Sequence, residues 1–143
     1  MIAGMVTAID KLEDWKINLH LFLVQHKDYE FAWGSWDCCR FTDAAVLAMT
    51  GQNLVPKELR WHDRKTAIEV IRKHGDNFPA LAKSILMKAG LQPVEKPQLG
   101  DVTIYKKKDF AIGIYDGFVI RAPSDKGTAA VDKFHITESF RIK

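Results

Sequence analysis

The feature that most limits what this chain can fold into is a change of texture between Gly90 and Gly100. Before it, apolar residues recur at helical spacing. After it, short runs rich in β-branched and aromatic residues alternate with turn signals. Ile9, Leu12, Trp15, Leu19, Phe22 and Leu23 place an amphipathic helix over residues 8–27. Asp37 is a good N-cap for a second helix opening at Cys38, and Gly51 is its expected left-handed stop. Residues 52–63 read as a loop. Lys65 to Lys73 reads as a third helix stopped at Gly75, and Phe78-Pro79 opens a fourth that ends by Gly90. Strands are expected at Asp101–Tyr105, Phe110–Tyr115, Phe118–Ala122, Ala129–Phe134 and Phe140–Ile142. Asp116-Gly117 signals a tight hairpin. Helices first and an antiparallel sheet second define an α+β class. One domain is expected over 1–143, its helical part about 8–90 and its β part about 100–143.

A composition of 47% hydrophobic and 27% charged residues suits a chain with a real core and excludes disorder. The net charge of +3 is too small to name nucleic acid as a partner. The run Lys106-Lys107-Lys108 ends at Asp109 and reads as a solvated hairpin turn. No segment approaches the roughly 18–20 apolar residues of a membrane span. The N-terminal stretch lacks a basic leader and a long apolar run, so no secretory signal is expected.

Both cysteines of the chain fall in Phe31-Ala32-Trp33-Gly34-Ser35-Trp36-Asp37-Cys38-Cys39-Arg40-Phe41. Three readings compete for them: a reactive thiol, a disulfide or metal site, and plain packing. A thiol at the first position of a helix lies near unpaired N–H groups and the positive end of the helix dipole, which favour thiolate. Adjacent cysteines bridge only under strain. Zinc wants four ligands at spacings not found here, and no metal or cofactor is expected. Among the nearby rings, Trp33 and Phe41 are assigned to the core. Trp36 and Trp61, flanked by polar residues, are the candidates for an interface.

The order of features resembles the NlpC-type cysteine peptidases, the cell-wall branch of the papain-like fold. The resemblance rests on an N-terminal helix, aromatic-x-Trp-Gly-x-x-Asp-Cys at a helix start, Gly100-Asp101-Val102 and Gly113-Ile114-Tyr115. It spans roughly residues 8–143 and is closest to a phage and prophage tail-associated branch with Trp-Gly-x-x-Asp-Cys-Cys-x-Phe. The resemblance implies a papain-like fold with Cys38 in the nucleophile position. It also implies that the catalytic base belongs at Ala111, where the family has histidine, and the third polar group at Arg121. Alanine cannot take a proton, and arginine stays protonated. His135 and His62 are the possible substitutes for the base. His20, His26 and His74 read as surface or packing residues.

The leading expectation is therefore a phage tail structural or assembly protein, at the tip or baseplate, on an NlpC-like scaffold that has lost catalysis. Its partners would be other tail and hub proteins. Its place would be the virion, with the host cytoplasm during assembly. Two alternatives stand beside it. One is an active tail-borne peptidase cleaving host peptidoglycan peptides. The other is a module that binds cell-wall peptide without cutting it.

Overall fold

A computed structural model describes residues 8–143; the leader expectation for the extreme N-terminus falls partly on residues outside that range. Four helices precede the main sheet: α1 Trp15–Gln25, α2 Cys38–Thr50, α3 Arg64–His74 and α4 Phe78–Lys88. Six strands follow: β1 Gln92–Val94, β2 Val102–Lys106, β3 Phe110–Tyr115, β4 Ile120–Ser124, β5 Gly127–Val131 and β6 Ile136–Arg141. They form one antiparallel sheet in the order β1-β6-β2-β3-β4-β5, which makes the chain an α+β fold.

Local signals set most of the boundaries. Asp37 caps α2 through Arg40 N–H, and Gly51 closes it at φ 79°. Asp63 and Thr66 form a capping box at α3. Asn77 caps α4, with Pro79 in its first turn. The lysine run turns β2 into β3 as expected.

Long-range contacts move other boundaries. The first helix starts at Trp15 rather than residue 8. The backbone before it is spent elsewhere: Ile9 N–H donates to Ala89 O at 3.0 Å, Lys11 N–H to Lys143 O at 2.6 Å and Leu12 N–H to Met49 O at 2.9 Å. A segment that hydrogen-bonds to three other parts of the fold cannot also supply a helical ladder. The expected strand at Ala129–Phe134 runs instead from Gly127 to Val131. Phe134 lies in a 3-10 turn, Lys133–His135, capped by Asp132. Strand β4 begins at Ile120, two residues later than expected, because the Asp116 side chain ties up Phe118 N–H and Val119 N–H in the turn. Strand β1 was not expected at all; it pairs Gln92–Val94 with the far C-terminal strand.

The core lies between the helices and one face of the sheet. Phe41, Val46 and Met49 of α2 meet Val102, Ile104, Ile114 and Phe140, all fully buried. A fully buried phenylalanine such as Phe41 or Phe140 is worth roughly 3–5 kcal/mol against alanine. Strand alternation sends Tyr105, Tyr115 and Ala111 to the other face, where they pack with Ile120, Ala122 and Val131. Asp101, wholly buried at the start of β2, is paired by the Arg141 guanidinium at 2.9 and 3.0 Å and accepts Gln98 N–H. Gly113 lets β3 and β4 approach, since a Cβ there would lie 2.6 Å from Arg121 O. No helix of the described residues is long and apolar enough to cross a membrane.

Candidate functional site

The Trp-Gly-x-x-Asp-Cys segment is built around one carboxylate. Asp37, only 2% exposed, accepts Arg40 N–H at 2.9 Å, Gly34 N–H at 2.9 Å and the Trp61 indole N–H. Arg40 reinforces the same unit. Its guanidinium lies 4.2 Å over the Trp61 ring and donates to Gly34 O and Leu59 O, each at 3.1 Å. Gly34 has φ +77°, and any Cβ there would collide with the Trp61 carbonyl oxygen. Ala32 and Trp36 close the loop with paired backbone bonds. Glycine, aspartate and the distant Trp61 thus fix the direction in which Cys38 leaves the loop and opens α2.

Cys38 is half-buried at the first position of α2. The neighbouring Cys39 thiol is the largest influence on it and lowers its pKa. Burial opposes this, and the Ile112 backbone assists it. The proton is correspondingly held on Cys39, whose thiol is pushed well up by Cys38 and by burial. Cys38 is therefore the acidic member of the pair, in the place where the helix terminus also favours negative charge. Burial pushes the Tyr105 phenol well up, and the Cys38 charge adds to that shift, so Tyr105 stays protonated and cannot act as a base.

The Cys38 thiol is shifted by Cys39, Ile112 and Asp37, and among the described residues no histidine lines the cleft beside it. His62 is exposed, with Nε2 3.7 Å from Asp63. His135 turns Nδ1 toward Lys106 O at 3.2 Å. His20 and His74 are exposed, and His26 stacks on Trp36 with Nδ1 2.7 Å from Phe22 O. Ala111 packs on the sheet face carrying Tyr105; its neighbour Ile112 is the residue presented toward Cys38. Arg121 is engaged by Asp116, Nε to Oδ2 at 2.7 Å. Among the described residues no three His, Cys, Asp or Glu side chains are placed to hold a metal ion.

The aromatic assignments divide. Phe41 is fully buried, as expected. Trp33 is 42% exposed, stands perpendicular to the Phe31 ring at a centroid distance of 5.1 Å and borders the cleft beside the cysteines, so it is not a core residue. Trp36, an interface candidate in the sequence, is packed among Phe22, His26, Tyr29 and Phe41 at centroid distances of 5.0–6.0 Å. Of its polar neighbours Ser35 is exposed in the Ala32–Trp36 turn, but Asp37 is buried as a hydrogen-bond acceptor, and the Trp36 ring itself packs inward. Trp61 stands at the rim, held by Asp37 and Arg40.

A cleft of about 390 Å³ opens beside the two thiols. Ala67, Ile68 and Ile71 of α3 form one wall and Phe78, Ala82 and Ile85 of α4 another. Leu54, Leu59 and Trp61 of the preceding loop, with Phe110 and Ile112 of β3, complete it. The volume suits a small-molecule or peptide site, and its lining is predominantly apolar. Thr42 also lines it. This residue is 2% exposed, and its Oγ1 has no hydrogen-bond partner among the described residues. Sequence reasoning missed Thr42, although its position four residues after Cys38 places both on one helix face. It also missed the cleft, which depends on how α3 and α4 pack against the start of α2.

The chain matches no curated protein. A family profile described as Domain of unknown function (DUF6950) matches residues 10–142. The chain therefore belongs to the DUF6950 family.

Proposed function

We propose that this protein is an NlpC-like, papain-like scaffold without peptidase catalysis, serving as a structural or assembly protein of a phage tail tip or baseplate. The observation that carries the loss of catalysis is where the histidines sit: among the described residues none lines the cleft that borders Cys38, while His62 lies by Asp63, His135 by Lys106 O and His26 on Trp36. General acid–base help is worth roughly 10²- to 10⁴-fold. Amide hydrolysis also needs the departing amine protonated, and members of a catalytic unit fail together. Arg121, already paired with Asp116, and Ala111, packed on the far face, support the same reading. The tail assignment rests on the resemblance of the Trp33–Phe41 segment to the phage branch, and a rigid scaffold is readily reused as a connector. Other tail and hub proteins are the proposed partners, and the virion the proposed location.

The test has two arms. The full chain is incubated with muropeptides and followed by liquid chromatography with mass detection; no turnover is expected. In a phage or prophage carrying this gene, its deletion should leave incomplete tails under electron microscopy, and a Cys38→Ala copy should restore them. Turnover that disappears in Cys38→Ala would establish the peptidase alternative, and complete, infective tails without the protein would remove the tail assignment.

A further inference from the structure

We propose that Cys38 is an acyl-acceptor thiol that exchanges with thioesters of apolar acyl chains, the chain lodging in the cleft between α3 and α4. The inference rests on the reading of Cys38 as a thiolate without a base, and it is independent of any tail role.

Three observations converge on it. Cys38 and Cys39 are both partly exposed and both among the residues that line the cleft. The walls offered to the rest of that molecule are mostly hydrocarbon, Ala67, Ile68 and Ile71 on one side and Phe78 and Ile85 on the other, with Arg64, Asn77 and Asp109 also among the lining residues. Such walls suit an alkyl chain better than a charged cell-wall peptide. Finally, Thr42, one helical turn from Cys38, is among the residues lining the same space, and its buried hydroxyl has no hydrogen-bond partner among the described residues. A buried hydroxyl left unsatisfied is costly, and a small rotation of the Thr42 side chain would turn it to a carbonyl oxygen in the cleft.

The missing imidazole then selects the reaction. Expelling an amine or an alkoxide calls for a proton donor. Expelling a thiolate does not, because a thiol of ordinary pKa leaves as the anion. In the exchange, the Cys38 thiolate attacks the thioester carbonyl carbon and a new carbon–sulfur bond forms. The bond from that carbon to the carrier sulfur breaks, and the carrier departs as thiolate. The proton that Cys38 gave up ends on the released thiol, and nothing is oxidised or reduced.

The test compares decanoyl and acetyl coenzyme A on the full chain by intact-mass and peptide mass spectrometry. Each buried methylene contributes a factor of roughly four, so seating even two of them makes decanoylation about tenfold or more faster than acetylation. The adduct should map to Cys38, be released by hydroxylamine, vanish in Cys38→Ser and persist in Cys39→Ala. Ile68→Trp, on the largely exposed α3, should bring the decanoyl-to-acetyl ratio toward one. Equal rates for the two thioesters, labelling of residues other than Cys38, or no adduct while iodoacetamide still alkylates Cys38 would each overturn the acyl proposal alone. Muropeptide turnover would instead overturn the base-free reading beneath it.

Discussion

Replacing Asp37 with alanine should destabilise the protein by about 3 kcal/mol. The carboxylate is almost wholly buried and serves three donors in three places: Arg40 N–H, Gly34 N–H and the Trp61 indole N–H. Loss of a helix N-cap costs about 1 kcal/mol, within a range of roughly 0.5–2. The other two donors are left without an acceptor, at about 1 kcal/mol each. For a chain of 143 residues this lowers Tm by about 10 °C, taking about 3–4 °C per kcal/mol. Asp37→Asn should lose about half as much, because its amide keeps one acceptor oxygen and turns a donor toward the remaining N–H groups. Trp61→Phe removes a single bond and should cost about 1 kcal/mol, and the double variant Asp37→Ala with Trp61→Phe should fall short of the sum by a similar amount. Urea unfolding followed by tryptophan fluorescence and circular dichroism reads all four. An Asp37→Ala protein within about 0.5 kcal/mol of the parent, with an unchanged m value, would refute the view that this carboxylate organises the cysteine loop.

Two further outcomes can be checked on the same protein. Iodoacetamide should modify Cys38 ahead of Cys39, with a rate that rises with pH around a midpoint below the usual cysteine value of about 8.5; Cys39→Ala should move that midpoint up, since the Cys39 thiol is the main cause of the shift. Burial works against ionisation of Asp116, but the Val119 and Phe118 amides and Arg121 outweigh it and hold the carboxyl below the ordinary range. The stability this contributes is present above the unfolded aspartate value of about 3.9 and is lost as pH falls below it. The difference between the parent and Asp116→Asn in denaturant midpoint should accordingly shrink between about pH 5 and pH 3.

What could be read from the residues was whatever short-range chemistry decides. Asp37 caps α2 through its own neighbours and Gly51 ends it by its own backbone, so those boundaries were visible, and Phe78-Pro79 marked the start of α4. The sheet class was visible too, because β2 and β3 carry dense β-branched and aromatic runs joined by a short turn. Contacts distant in sequence were not visible. Residues 8–14 carry a helical pattern but bond to Ala89, Met49 and Lys143 instead. Strand β1 holds Pro93 and only three residues, and it exists because β6 supplies its partner. Trp33 and Trp36 exchanged expected roles because the turn between Ala32 and Trp36 directs one ring outward and the other inward. In the site, the opening of α2 at Cys38 was legible from Asp37-Cys38 at a helix start. Thr42 and the α3–α4 walls were not, because their importance comes from tertiary packing.

Helix α3 contributes no fully buried residue of its own. Its apolar side chains border the cleft, so much of what could anchor this helix is the cleft's contents. A molecule seated there would complete a layer of packing that the polypeptide leaves unfinished. Amide exchange along residues 64–74 should then slow when the space is filled, making this short helix a built-in reporter of occupancy.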